Sequence, residues 1–211
     1  MTDPLAQFTL FDDGGTASFA PALPDGWRYE PGFLDAAEEA DLLVVVAGLE
    51  LHEARYKGYT ARRRVAHFGT AYDYDDNRLL PGPPLPDSLL PLRDKAAAWA
   101  GLPPLALTSA LVAEYRPGGP LGWHRDVPDF ETVVGISLLG LARMRFRRYP
   151  PVQPKKSDVI SLALAPRSAY VLHAEARWGW QHSIAPTPEL RYSITFRERR
   201  DGASGTAVAT P

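Results

Sequence analysis

The chain has 211 residues, of which 45% are hydrophobic and 23% charged, and a formal charge of −2. That suits one domain with a sizeable core, and it lacks the global charge of a nucleic-acid binder, so any such contact would need a local cationic patch. Cysteine is absent, which excludes disulfides, thiolate metal sites and cysteine nucleophiles and fits a reducing, cytoplasmic setting.

Taken in chain order, residues 1–20 mix Gly, Asp, Thr and Ser around Phe8, Phe11 and Phe19 and read as an extended arm. They carry acids and no basic stretch, unlike a secretory signal. The first helix is expected from Asp35 to Leu49. Asp35 and Glu38 form a capping arrangement, Phe33 can act as a staple, and Leu42, Val45, Val46 and Leu49 share a face. The run Leu42 to Leu49 is the longest apolar stretch and is too short for a bilayer, so no membrane contact is expected. Arg55 to Asn77 is rich in Tyr, Arg and Gly and reads as a lid. A second helix is expected from Asp87 to Ala100, with Leu89, Leu92, Ala96 and Trp99 at helical spacing and Pro91 tolerated near its start.

Beyond Leu105 the period changes. Short runs at Ser109–Tyr115, Thr132–Leu139, Arg143–Tyr149, Asp158–Leu164, Ala169–Leu172, Gln181–Ile184 and Leu190–Arg197 read as strands, separated by Pro and Gly turns. Helices followed by close-spaced strands predict a mostly β jelly-roll pair of sheets with helices against one side. One domain over 21–200, a frayed tail at 201–211 and a monomer are expected.

His124 and Asp126 lie two residues apart, so at a strand end both can reach one ion. His182, in a distant strand, can supply a third ligand. Two imidazoles and a carboxylate on one face leave coordination positions open, as at non-haem Fe(II) oxygenase sites. A His-x-Asp pair can equally be a surface His beside a loop Asp. Along Leu190–Arg197, Arg191, Ser193, Thr195 and Arg197 share one face. Two interior arginines make sense around a dicarboxylate, which Arg grips bidentately; an edge strand with solvated arginines is the other reading. His52 is expected at the surface, His67 on a sheet face or else lining a pocket, and His173 in the core or at its rim. Trp178 and Trp180 are expected to fill the core, the alternative being that they line the metal pocket.

Tyr115-Arg116-Pro117-Gly118, Trp123-His124-Arg125-Asp126 and Val133-Val134-Gly135-Ile136-Ser137-Leu138 follow in order. Arg177 then precedes His182-Ser183-Ile184, and the Arg191–Arg197 run closes the series. Together they resemble the AlkB family of 2-oxoglutarate dioxygenases over about residues 22–199. The resemblance implies a double-stranded β-helix with Fe(II), 2-oxoglutarate and O2 as cofactor and co-substrates. By position, His124, Asp126 and His182 match the iron ligands. Arg191 matches the arginine on the far carboxylate of 2-oxoglutarate, Arg197 the second arginine, and Tyr115 a tyrosine that hydrogen-bonds the co-substrate. Ala113 and Ser193 stand where many members have Asn, and only Ser193 can replace its hydrogen bond. Pro128 occupies the place of a base-reading Asp, with Asp129 one residue later.

The resemblance also implies demethylation of N-methylated nucleic-acid bases, in DNA or RNA. Tyr56, Tyr59, Phe68, Tyr72 and Tyr74 are stacking candidates, Arg62, Arg63 and Arg64 phosphate contacts, and Asp129 a substrate contact. The alternatives are the same chemistry on a protein or small molecule, and a non-catalytic jelly-roll binding module.

Overall fold

A computed structural model describes residues 23–200 apart from 57–58, 74–75, 77 and 104. The expected N-terminal arm and C-terminal tail lie outside the described residues, as do Tyr74 and the side chains of Tyr56 and Tyr59. The chain runs β1 (Trp27–Glu30), α1 (Ala36–Ala47), β2 (His52–Tyr56), β3 (Tyr59–Phe68), β4 (Thr70–Asp73), β5 (Arg78–Pro81) and α2 (Leu90–Ala100). It continues through β6 (Leu107–Tyr115), β7 (Leu121–His124), β8 (Phe130–Leu139), β9 (Ala142–Arg148) and β10 (Ile160–Leu164). It closes with β11 (Ala169–Leu172), α3 (Ala174–Trp178), β12 (Trp180–Ile184) and β13 (Arg191–Arg199).

The expected jelly-roll core is present. A seven-stranded sheet, ordered β1-β11-β8-β13-β6-β3-β2, faces a four-stranded sheet ordered β10-β9-β12-β7. Every pairing within them is antiparallel. The large sheet is covered on both faces, so its inner strands are apolar almost throughout despite being antiparallel. Val134, Ile136, Ile194 and Phe196 point to the helices, where Leu34, Leu42, Val46 and Leu92 meet them. Alternate residues point the other way, into a second core between the sheets built on Val133, Met144, Phe146 and Leu172.

Helix α1 begins as its sequence dictates: Asp35 accepts from the Glu38 amide at 2.8 Å while Glu38 accepts from the Asp35 amide at 2.9 Å. The second helix is preceded by a short 3-10 turn, Asp87–Leu89, because Pro91 at its start cannot donate. The expected lid is a larger departure. Its segment takes in the end of β2 and strands β3 and β4, and β3 is hydrogen-bonded to β6 from Arg63 to Phe68, so that part is a wall of the large sheet.

Gly135 shows how tightly the sheet is built around its cavity. A Cβ there would lie 2.2 Å from Cζ of Tyr170, the cross-strand neighbour of Gly135 on β11. Gly135→Ala therefore forces the Tyr170 ring to move, and a loss of about 1–3 kcal/mol is expected, typical of overpacking. A urea melt of the variant against the parent checks it.

Candidate active site

Strand β12 places His182 directly opposite His124 of β7, with ring centroids 4.2 Å apart. Asp126 follows on the turn beyond β7 rather than on the strand itself, and its Oδ2 lies 3.7 Å from His182 Nε2. Ligand atoms of His124, Asp126 and His182 all fall within 4.8 Å of one another. His124 Nδ1 lies 2.9 Å from the Gly122 carbonyl. A carbonyl only accepts, so Nδ1 carries the proton and Nε2 is left with its lone pair. The turn after Asp126 is pinned by buried Arg177, which donates to the carbonyls of Val127 at 2.6 Å and Phe130 at 2.9 Å.

Burial sets the charge of the cluster. It pushes His182 down to about 3, helped by His124, and pushes His124 down as well. Burial alone would raise the Asp126 carboxyl, but the charge of nearby groups, Arg197 foremost, outweighs it and holds Asp126 below the usual carboxylate range. At neutral pH the cluster thus offers two uncharged imidazoles and one carboxylate. Asp126 Oδ2 is buried with no hydrogen-bond partner, a vacancy in its bonding that costs about 1–3 kcal/mol unless a cation fills it. The donor set and this atom fit a divalent metal of the oxygen- and imidazole-preferring kind.

Beside the cluster, β13 projects Arg191, Ser193, Thr195 and Arg197 into one cavity of about 1170 Å³, which Tyr115 also lines. Arg191 is 1% exposed. Its Nε donates to Ser137 Oγ at 2.9 Å and its guanidinium lies 5.0 Å from the centre of the Tyr115 ring. Its Nη1 is buried without a partner. A buried guanidinium with a free N–H and no carboxylate within 4.0 Å among the described residues fits an anionic ligand. At the metal end, Arg197 Nη2 stands 3.4 Å from Asp126 Oδ1. Burial pushes the Tyr170 hydroxyl up to about 12, so the cavity wall keeps it neutral.

The expected substrate residues divide. Arg62, Arg63 and Tyr72 line the cavity, and Arg63 Nε is buried without a partner. Arg64 does not belong with them. Strand alternation turns it to the opposite face, where its Nε donates to Glu114 at 2.8 Å. Phe68 lines the cavity as well, while it is buried in the helix-side core. Asp129 is not among the cavity-lining residues, and its carbonyl accepts from the Arg200 amide at 2.8 Å. Trp180 fills the core between the sheets, and Trp178 donates to Glu131 at 3.0 Å; neither lines the cavity. His52 is exposed, and His173 sits exposed at the start of α3.

Sequence reasoning missed Trp123 and His52 as cavity-lining residues. His67, for which a pocket position was one expectation, lines the cavity too: it shares the face of Arg63 and Val65 on β3, as the period-two pattern from Arg63 implies. Burial, then Arg197 and Arg63, push His67 down to about 4. Between the ordinary value of 6.5 and about 4, the unfolded chain protonates this imidazole while the folded protein refuses the proton. Stability is therefore full above that window and falls as pH drops through it. Melting temperatures of metal-free protein across this range should decline, and His67→Gln should flatten the decline.

A family model described as the 2OG-Fe(II) oxygenase superfamily matches residues 26–197. An Arabidopsis thaliana protein named alkylated DNA repair protein ALKBH8 homolog is 32% identical over 176 residues, covering 73% of this chain and 49% of its own length. The alpha-ketoglutarate-dependent dioxygenase AlkB of Escherichia coli is 30% identical over 152 residues, covering 67% of each chain. The chain thus spans about half the length of the Arabidopsis relative. The solved structure of OsALKBH1 superposes with a TM-score of 0.65 at 16% identity, over 84% of this chain and 100% of that one, and supports the fold.

Proposed function

Because the chain belongs to the 2OG-Fe(II) oxygenase superfamily, and is a dioxygenase dependent on Fe(II), 2-oxoglutarate and O2, we propose that it oxidatively demethylates N-methylated bases of nucleic acid. His124 through Nε2, Asp126 and His182 hold the metal. Arg191 takes the far carboxylate of 2-oxoglutarate, with Tyr115 and Ser193 as hydrogen-bonding neighbours and Arg197 towards the metal-side carboxylate. When bound, iron and 2-oxoglutarate supply the oxidant: the co-substrate becomes succinate and CO2, and one oxygen atom enters a C–H bond. On an N-methyl group the resulting hydroxymethyl loses formaldehyde, and the base recovers its N–H.

The side chains orient and shelter; none need act as a general base. Arg191 and Ser137 fix the diacid's long axis, and Arg197 holds Asp126 ionised. The apolar wall of Val133, Ile184 and Leu121 limits water at the metal. A base entering the cavity must leave its stack, and it would pass Arg62, Arg63 and Tyr72.

The observation that carries the chemistry is the His-Asp-His cluster sharing a cavity with a buried arginine that has a free N–H. The nucleic-acid substrate is supported by the names of the two relatives and by the cations at the cavity. The test is parallel measurement of succinate and formaldehyde across methylated single strands, duplexes and tRNA. Equal release of both with one class supports the proposal; no response to any class defeats it. A second reading, hydroxylation of a protein or small molecule, is favoured by Pro128 and by Asp129 lying off the cavity. Succinate stimulated only by a non-nucleic substrate would select it.

A further inference from the structure

Strand β9 presents two unlike faces. Met144 and Phe146 are fully buried between the sheets, while Arg143, Arg145 and Arg147 point outward. Their neighbours on that outer face are neutral. In register, Arg145 lies between Ser161 of β10 and Ser183 of β12, Arg143 beside Ala163, and Arg147 beside Gln181. Arg145 Nε donates to Ser183 Oγ at 3.0 Å, and Arg147 Nε to Gln181 Oε1 at 2.8 Å. Both guanidinium groups also lie over the Trp123 ring, at 5.2 Å and 4.5 Å.

No carboxylate among the described residues lies within 4.0 Å of any of these three arginines, whereas Arg64, Arg93, Arg116, Arg148 and Arg167 each have one. With 25 acids against 23 bases in the chain, a row of cations on a four-strand face with no acid beside it is a local exception. Such a row repels itself unless an external anion covers it. The row is also continuous with the cavity, because Trp123 lines the cavity wall and lies beneath Arg145 and Arg147.

We propose that this outer face is an auxiliary binding surface for the backbone of single-stranded nucleic acid, carrying the flank of a substrate away from the cavity across Trp123 and onto Arg143, Arg145 and Arg147. The proposal rests on the nucleic-acid reading given above. Alternate residues of a strand are about 6.6 Å apart, a spacing that suits successive phosphates of an extended chain. The neutral partners orient two of the arginines without neutralising them, so little order is lost on binding. A single strand fits better than a duplex because the row follows one β-strand and a stacking surface needs an unstacked base.

The test uses the full chain and the variant Arg143→Gln/Arg145→Gln/Arg147→Gln, whose side chains keep polar character, together with Arg143→Glu, at a side chain with no ion pair or hydrogen bond among the described residues. Melting temperatures confirm folding. The probe is an unmethylated single strand of about twenty nucleotides, longer than a typical single-strand groove, followed by anisotropy over a salt series. The triple variant should bind at least about tenfold more weakly, and its log K against log salt slope should shrink by about 2, for three lost phosphate contacts. Arg143→Glu should weaken binding severalfold. A methylated trinucleotide, too short to span both places, should be turned over as well by the variant as by the parent, while KM for a long methylated strand rises.

Unchanged affinity and slope in folded variants overturn the proposal. So does a parent that binds no single strand, or an acidic peptide that binds this face more tightly than the strand does. If strand binding falls in the variants but no methylated oligonucleotide yields formaldehyde, the surface stands and the demethylation reading fails. If formaldehyde forms with equal KM in parent and variant, the reading stands and the surface fails.

Discussion

His182→Ala should reduce succinate formation by roughly a thousandfold or more, about 4 kcal/mol of lost stabilisation at 1.4 kcal/mol per factor of ten. The reason is the composition of the cluster. His182 and His124 are both kept neutral by burial, and Asp126 is kept ionised by Arg197. Each therefore presents a lone pair at neutral pH, and no other His, Asp or Glu among the described residues joins the group. Removing His182 leaves two ligands, with Asp126 Oδ2 still lacking a partner. A melt without metal checks that its fold survives. The measurement pairs succinate assays with melts in Mn(II). The parent should gain about 2.7 kcal/mol of stability on metal addition at a hundredfold excess over Kd, seen as a higher melting temperature. A variant that keeps the metal-induced gain would remove His182 from the ligand set.

Arg191→Ala should raise KM for 2-oxoglutarate by roughly a hundredfold or more, the loss of about 3 kcal/mol expected when a buried charge pair loses one partner. Iron affinity should change little, since Arg191 lies along β13 from the metal cluster and makes its polar contact with Ser137. Turnover at saturating 2-oxoglutarate should stay within severalfold of the parent. Arg191→Lys should fall between the two, because an ammonium keeps the charge but loses the planar fork. Guanidinium ion added to the alanine variant should restore part of the affinity. Separate titrations of metal and co-substrate decide the matter: equal losses in both would mean that Arg191 supports the whole cavity and has no particular role towards the diacid.

Legibility in the sequence followed the range of the interaction. The capping box at Asp35 and Glu38 is local and was readable to the residue. The strand faces of β8, β9 and β13 were readable because burial on one or both sides imposes period two. The faces of Arg191, Ser193, Thr195 and Arg197 came out as expected for that reason. Strands β2 to β5 were not legible. Their residues, such as His52-Glu53-Ala54, lack apolar alternation. Arg62, Arg63 and Arg64 read as one patch in sequence, but a strand sends neighbours to opposite faces, so Arg64 went to Glu114. Helix α3, Ala174–Trp178, is too short to show a helical period. The pairing of His182 with His124 depends on a register across 58 positions of sequence that no local pattern encodes; the chemistry of the ligand types and the family resemblance pointed to it.

Strand β7 has four residues, lies at the margin of the smaller sheet, and is joined to β12 through an irregular register. It leads directly into Asp126, so two members of the cluster depend on a segment that can detach by breaking few hydrogen bonds. Strand β13, by contrast, is bonded on both sides, to β8 and to β6. The two halves of the cavity therefore differ in durability: under the proposed assignment, metal exchange can accompany a small fraying at the periphery, while the recess proposed for the diacid is anchored by a strand bonded on both sides.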